Sequence, residues 1–229
     1  HKLIRILTHE IMNSITPIVS LTETMQGMLT DKNQKQKDLT EINDGTLSDI
    51  LFSLNTIQNR SEGLLHFVEN YRKLTRVPKP ATELVNIKTF LSAIGKLMKE
   101  SLQRNAINFL VNVEDENLTA VFDPALMEQV VINLITNSSN ALENAVHKEI
   151  QLKAYRQENL TIIEVTDNGK GIPEKELKEI FIPFYSTRKE GSGIGLSLSK
   201  QIVSLHGGRI KVSSTPGKQT SFYIQLRTA

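Results

Sequence analysis

Neither cysteine nor tryptophan occurs among the 229 residues of this chain, and aromatic residues make up only 5% of it. Without cysteine there is no disulfide framework and no thiolate metal site, which fits a reducing cytoplasm. With so few aromatics, the core has to be built from Leu, Ile and Val. Charge of neither sign prevails, since 27 Lys and Arg stand against 25 Asp and Glu. Both signs are spread along the chain. The clustered basic stripe of a nucleic-acid binder is therefore missing, and no nucleic-acid partner is expected. No apolar run approaches the roughly 18 residues that cross a bilayer, and no signal peptide is visible. The chain starts without Met, inside a helical pattern. It reads as a fragment whose missing N-terminal part has room for membrane segments.

The length leans towards two domains. Residues 1 to 77 carry no strand signal. Leu7, Ile11, Ser14, Ile18, Leu21, Met25 and Met28 alternate spacings of four and three. Leu47, Leu51, Leu54, Gln58, Ser61, Leu65, Val68 and Arg72 run similarly, with Ile50, Ile57, Leu64 and Tyr71 beside them. These heptad-like stripes predict two helices joined by a polar loop over Thr30–Asn43. A hairpin buries little alone, so two copies forming a four-helix bundle, a homodimer, are expected. Val77-Pro78-Lys79-Pro80 stops the second helix, because proline lacks the amide donor and restricts the residue before it. Residues 78–83 read as a linker. Residues 84–229 then mix helix and strand. Ile87–Gln103 is amphipathic, Ile107 to Val113 alternates, and Leu118–Phe122 is a short strand. Asp123-Pro124 opens a helix with a capping acid and a first-turn proline. Alternation returns at Ile150 to Ala154 and at Ile163 and Val165. A helix at Leu196–Leu205 precedes strands at Arg209–Ser213 and Phe222 to Leu226. The order predicts an α/β sandwich, helices covering one face of a mixed sheet.

Four motifs carry candidate chemistry. His9 falls off the first stripe, on the outward face, with Glu10 adjacent and Asn13 one turn on; Pro17 predicts a kink. A surface histidine is the bland reading. The functional one is a phosphoryl acceptor, since imidazole keeps a free lone pair near neutral pH. Glu10 would orient or deprotonate the ring, and the Asn13 amide could hold a water. Asn133, Asn137, Asn140 and Asn144 recur at spacings of four, three and four. On a helix they form one stripe, opposite Val130, Leu134, Ala141 and Leu142. Asn is a poor helix former, and solvated faces usually use Glu and Lys. A row of amides offers oxygen to Mg²⁺ and NH₂ to phosphate. Asp167-Asn168-Gly169-Lys170-Gly171-Ile172-Pro173 follows an apolar strand. It reads as a tight turn, or as a buried acceptor for an amine with glycines that let backbone approach a ring. Gly191-Ser192-Gly193-Ile194-Gly195-Leu196 opens a helix, where amides and dipole favour phosphate. It matches neither a Rossmann fingerprint nor a Walker A loop. Between the last two lies Phe181 to Arg188, core packing or the root of a mobile lid over Tyr185–Ser192, with Arg188 or Lys189 near phosphates.

Thr8-His9-Glu10-Ile11-Met12-Asn13-Ser14-Ile15-Thr16-Pro17 resembles the phosphoacceptor box of sensor histidine kinases, in the version of the nitrogen-regulation branch. The other four elements, in order, resemble the N, G1, F and G2 boxes of the ATP-binding (Bergerat, GHKL) domain. Histidine kinases share that domain with the Hsp90 chaperone, type II topoisomerases and MutL. The resemblance spans residues 84–229 and, with the histidine box, nearly the whole chain. It implies a helical-hairpin dimerisation domain plus an α/β sandwich that binds ATP and Mg²⁺. It implies His9 as acceptor, Glu10 as an aid to autophosphorylation and Asn13 in dephosphorylation of the partner. Asn137 would ligate magnesium, Asn133 contact phosphate or metal, and Asp167 bind the adenine amine. Gly169 and Gly171, with Ile172 after them, would flank the base. Gly193, Gly195 and Leu196 would lie at the phosphates, and Thr220 near Asp167. Asn140 stands where many kinases carry a basic residue, and Gln219 replaces a common glycine. The ATP-hydrolysing members carry a glutamate at the position of Asn133. Its absence favours transfer to a side chain over a hydrolysing machine, and the unbroken boxes count against a mere scaffold. The partner implied is a response-regulator receiver domain. The setting implied is the cytoplasmic part of a protein at the inner membrane of a bacterium.

Overall fold

The computed structural model describes residues 2–31, 33–188, 191 and 193–229, without the side chains of residues 2–6 and of Leu39. The chain divides into two compact units, residues 1–75 and 76–229.

The first unit is a helical hairpin. Helix α1, Lys2–Leu29, runs through Pro17. Helix α2, Asp44–Thr75, packs against it. Asn43 caps α2 by accepting the Thr46 amide at 2.8 Å. Arg72 and Lys73 sit in its last turn, where positive charge complements the helix dipole. The loop between the helices is more structured than its polar composition suggests. Asp31 accepts the amides of Asn33 and Lys35, and a 3-10 turn spans Leu39–Glu41.

On α1 the covered stripe is the expected one, Leu7 through Met28. On α2 it is not. Ile50, Ser53, Ile57, Ser61, Leu64 and Tyr71 are covered, whereas Leu47, Leu51, Leu54, Leu65 and Val68 stay between 42% and 64% exposed. A straight helix shows one stripe to one neighbour, so of two adjacent apolar stripes the hairpin covers only one.

The second unit is an α/β sandwich. Strand β1 (Glu83–Asn86), unforeseen in the sequence, pairs antiparallel with β3 (Thr119–Phe122) as a small ribbon. The main sheet runs β2 (Asn108–Val113), β4 (Glu149–Gln157), β5 (Leu160–Asp167), β7 (Gln219–Arg227), β6 (Arg209–Thr215). Only the β2–β4 pairing is parallel. Helices α3 (Ile87–Arg104), α4 (Pro124–Ala141) and α6 (Gly195–Leu205) pack on this framework, and one turn of helix, α5, covers Glu174–Leu177. Asn86 caps α3 and Asp123 caps α4, with Pro124 in the first turn.

Alternation along the strands builds the core. Leu152, Val165 and Phe222 form one buried row across β4, β5 and β7; Ala154, Ile163 and Ile224 form the next. Met127, Val130, Val131, Leu134 and Ile135 of α4 are fully buried. Each such side chain contributes about 1.5–3 kcal/mol of burial. The next row towards the sheet's end is different: Ile150, Asp167, Thr220 and Ser214 stand side by side. Three polar residues occupy core-facing positions there. Helix α4 ends at Ala141, so Asn144 lies beyond it and drops out of the asparagine stripe.

Candidate functional site

Each unit carries one candidate site. On α1, the His9 side chain is 71% exposed and that of Glu10 49%. His9 Nδ1 lies 3.5 Å from Glu10 Oε1 and 3.1 Å from the Asn13 side-chain nitrogen. Helical spacing of four residues brings Asn13 up beside the ring. One nitrogen therefore faces both neighbours, and the other, Nε2, points away from them. A ring protonated on Nδ1 donates to Glu10 and leaves Nε2 with a free lone pair. An Asn13 NH₂ donating to Nδ1 selects the opposite tautomer.

The second site is a cleft of about 530 Å³ in the α/β unit. The stripe of α4 supplies Asn133, Asn137 and Asn140, the turn after β5 supplies Gly171 and Ile172, and the glycine segment supplies Gly193, Gly195 and Leu196. Arg188 also lines it. Lys189 and Ser192, expected in the lid, lie outside the described residues. Asp167, Gly169 and Thr220 are set behind this lining. Asp167 is 2% exposed and Thr220 3%, opposite one another on β5 and β7.

Asp167 sits where an apolar row ends. Burial pushes its carboxyl above the usual carboxylate range, against the Gly169 amide and the Ser138 hydroxyl, which favour the charged form. The Gly169 amide donates to Asp167 Oδ1 at 3.0 Å. Ser138 is 1% exposed, and its Oγ makes no well-formed hydrogen bond. A buried carboxyl with one well-formed amide bond, beside a buried hydroxyl with none, has acceptor capacity left over for a further donor. The signal for Ser138 is legible afterwards. It occupies the stripe position four residues after Leu134, where an apolar side chain would be the rule.

Ser214 is the other residue missed. Its hydroxyl accepts the Ile172 amide at 2.8 Å, donates to the Gln219 carbonyl and lies 3.0 Å from Thr220 Oγ1. It thereby fixes the glycine turn on the end of the sheet. Gly171 has φ +68, and an added Cβ there would stand 2.4 Å from the Thr215 carbonyl oxygen. No side chain is accommodated at that point. Asn168, by contrast, serves the fold. It accepts the Glu149 amide and donates to the His147 carbonyl, closing the start of β4.

At the other end of the cleft, α6 begins at Gly195 with no side-chain cap. Its first amides and positive dipole end lie at the cleft, which Gly195 and Leu196 line. The Asn133 amide donates to Ser199 Oγ at 2.9 Å, and a Cβ on Gly195 would fall 2.3 Å from Asn133 Oδ1. On either side of the segment expected as a lid, the Phe184 amide donates to the Gly193 carbonyl at 2.8 Å. Phe184 and Gly193 both have positive φ, 64° and 66°. Glu176 and Pro216 also line the cleft and were not singled out by sequence, and Lys170 and Tyr185, quoted there only within their motifs, line it too. Among the described residues no cluster of three or more His, Cys, Asp or Glu offers a protein-only metal cage. A hard cation here would need amide and ligand oxygens.

Residues 122–229 match the family described as histidine kinase-, DNA gyrase B-, and HSP90-like ATPase. The chain is 31% identical over 157 residues to the sensor histidine kinase ZraS of Salmonella typhimurium, covering 67% of this chain and 34% of ZraS. It is 26% identical over 236 residues to the circadian input-output histidine kinase CikA of Synechococcus elongatus, covering 96% of this chain and 29% of CikA. Residues 122–229 belong to this ATPase family, and the homologues that match the chain beyond them are sensor histidine kinases. The catalytic domain of histidine kinase ThkA shares its architecture, with a TM-score of 0.58 and 25% identity over 64% of this chain and 97% of that one. ThkA crystallised with the response regulator TrrA matches 100% of this chain and 62% of its own, with a TM-score of 0.67 and 22% identity, a likeness of fold. The chain spans about a third of ZraS and of CikA. Among the described residues no helix is long and apolar enough to cross a membrane.

Proposed function

We propose that this chain is the catalytic portion of a sensor histidine kinase that binds ATP, phosphorylates its own His9 and passes the phosphoryl group to an aspartate of a response-regulator receiver. The observation that carries the nucleotide half is the buried Asp167 carboxyl, which takes one backbone amide, from Gly169, and has the Ser138 hydroxyl beside it. An exocyclic amine of adenine, donating to Asp167, fills the capacity left open there. Thr220 and the Gly169–Ile172 turn hold the base. The uncapped start of α6 at Gly195 and Leu196 and the side chain of Arg188 meet the phosphates. Asn137, with Asn133 and Asn140 on the same helix face, presents carbonyl oxygens suited to Mg²⁺. The ion, when bound, would neutralise triphosphate charge.

In the transfer, the Nε2 lone pair of His9 attacks the γ-phosphorus in line. The N–P bond forms as the bond to the ADP oxygen breaks, and ADP leaves. The ring becomes cationic, and its Nδ1 proton is held or taken by Glu10. At Asn133, the position where hydrolysing relatives carry a glutamate, the side chain is neutral and hydrogen-bonded to Ser199. That favours a side-chain acceptor over water. Asn13 then orients a water against the phosphorylated receiver, which gives the same surface a phosphatase activity. The ThkA–TrrA complex is the precedent for such a partner.

The exposed stripe Leu47, Leu51, Leu54, Leu65 and Val68, with Met12, Ile15 and Val19 on α1, supports a second copy completing a four-helix bundle. Residues 1–77 would be the dimerisation and phosphotransfer domain, residues 78–83 the linker, and residues 84–229 the catalytic domain. The full-length protein would be anchored at the bacterial inner membrane through a preceding region. A single-turnover incubation with ATP bearing a radioactive γ-phosphate tests the reading. The label is expected on the protein and to move to an added receiver domain. Release of the label as free phosphate from an unlabelled protein would contradict it.

A further inference from the structure

Hydrogen bonds from three separate segments meet at Asp123, far along α4 from the cleft. Its Oδ1 accepts the Leu126 amide at 3.1 Å, which is the cap of α4. Its Oδ2 accepts the amide of Ala81 at 2.9 Å, in the segment that leads into β1. Its own amide donates to His206 Nε2 at 3.0 Å. His206 Nδ1 stands 2.8 Å from the Ile202 carbonyl, which can only accept. The two partners together fix a neutral ring protonated on Nδ1. His206 follows directly on α6, so this ring joins the end of α6 to the start of α4. Backbone amides from α4 and from the entering segment hold the Asp123 carboxyl below the usual carboxylate range.

The geometry of the two helices gives the junction its consequence. They are also tied by Asn133 and Ser199, ten residues along α4, or about 15 Å at 1.5 Å per residue. Packing of Leu198, Ile202 and Val203 holds the body of α6, and the Asn133–Ser199 bond fixes its register near the cleft. The Asp123–His206 bond fixes the register a second time, at the far end. Both helices line the cleft at their other ends, α4 through its asparagines and α6 through Gly195 and Leu196.

We propose that Asp123 and His206 form a junction that registers the entering segment and both cleft helices to one another, with His206 a positioning residue for nucleotide binding. The amide of Ala81 gives the segment that follows the helical unit a grip on the same point. A shift of that segment is thereby felt at the nucleotide. The inference rests on the cleft being the nucleotide site.

ADP affinity, measured by calorimetry on the full chain in the presence of Mg²⁺, tests it. The shorter amide of His206→Asn reproduces the donor at Nδ1 but not the acceptor at Nε2; the longer one of His206→Gln reproduces the acceptor. His206→Asn is expected to weaken ADP binding about tenfold, the worth of one hydrogen bond to a fixed partner. His206→Gln should restore it to within about twofold. Ala81→Pro removes the donor to Oδ2 and puts a ring carbon in its place, and should weaken binding at least threefold. Because both losses run through Asp123, the double variant should lose less than the product of the two. ADP binding at full strength by the His206→Asn variant would overturn the proposal. So would equal losses for the two His206 variants accompanied by equal drops in thermal midpoint, or strictly multiplicative losses in the double variant. A parent chain that binds no ADP would instead overturn the reading of the cleft.

Discussion

The side-chain nitrogen of Asn13 lies 3.1 Å from Nδ1 of His9, the same ring nitrogen that faces Glu10 at 3.5 Å. The two neighbours pull the imidazole towards opposite tautomers. Glu10 favours Nδ1–H and a nucleophilic Nε2, while an Asn13 NH₂ favours Nε2–H. Glu10→Gln should therefore slow autophosphorylation about a hundredfold, within the range for losing a proton acceptor. Asn13→Ala should leave autophosphorylation at least as fast and slow dephosphorylation of the receiver. Rates of labelling and of receiver decay, measured on the same preparations, check both directions.

Asp167 predicts a conflict between stability and function. Burial raises its folded pKa above the unfolded value of 3.8, so the folded state binds more protons across that interval. The stability of the unliganded fold falls as pH rises from the unfolded pKa through the folded one, and the cost is fully present above the folded pKa. Asp167→Asn removes the cost. It should raise the thermal midpoint at pH 7 without nucleotide, flatten its acid-side pH dependence and abolish tight ATP binding. Thermal melts over a pH series with calorimetry of ATP check all three.

How far the sequence carried this site depends on what each residue answers to. The α4 stripe and the glycine turns were legible because helical spacing and turn chemistry are local. Asp167 was legible as a residue ending an apolar strand. Its setting was not, because the row it shares with Thr220 and Ser214 exists only once β5, β7 and β6 are in register. Ser214 was missed for that reason, whereas Ser138, on α4 four residues after Leu134, carries a local signal. Asn144 was placed on α4 because the spacing continues past the helix, although the helix itself ends at Ala141. On α2 the periodicity marked apolar residues but not which of two adjacent stripes the hairpin would cover. The ribbon strand β1 has only four residues and pairs with a distant segment, so no local pattern announced it.

Gly171 tests the turn beneath the base. Gly171→Ala places a methyl group 2.4 Å from the Thr215 carbonyl oxygen at a φ of +68. Strain of about 1–3 kcal/mol should shift the turn and weaken nucleotide binding at least tenfold. Gly217, with φ +74 and open space for an added Cβ, is the control. Its Ala variant should cost stability yet keep affinity.

The apolar stripe on α2 predicts the assembly. Leu51 and Leu65 are 53% and 64% exposed in the single hairpin. Replacing both with Glu should convert a dimer to a monomer in sedimentation, at little cost to the α/β unit's nucleotide affinity. A parent chain that sediments as a monomer at micromolar concentration would refute the bundle.

The most direct measurement is the location of the transferred phosphoryl group. After incubation with Mg-ATP, peptide mapping under alkaline conditions should find one acid-labile phosphate, on His9. The His9→Gln variant should hold ATP with undiminished affinity and carry none. Phosphate retained by that variant, or found on another residue of the unaltered chain, would contradict the account.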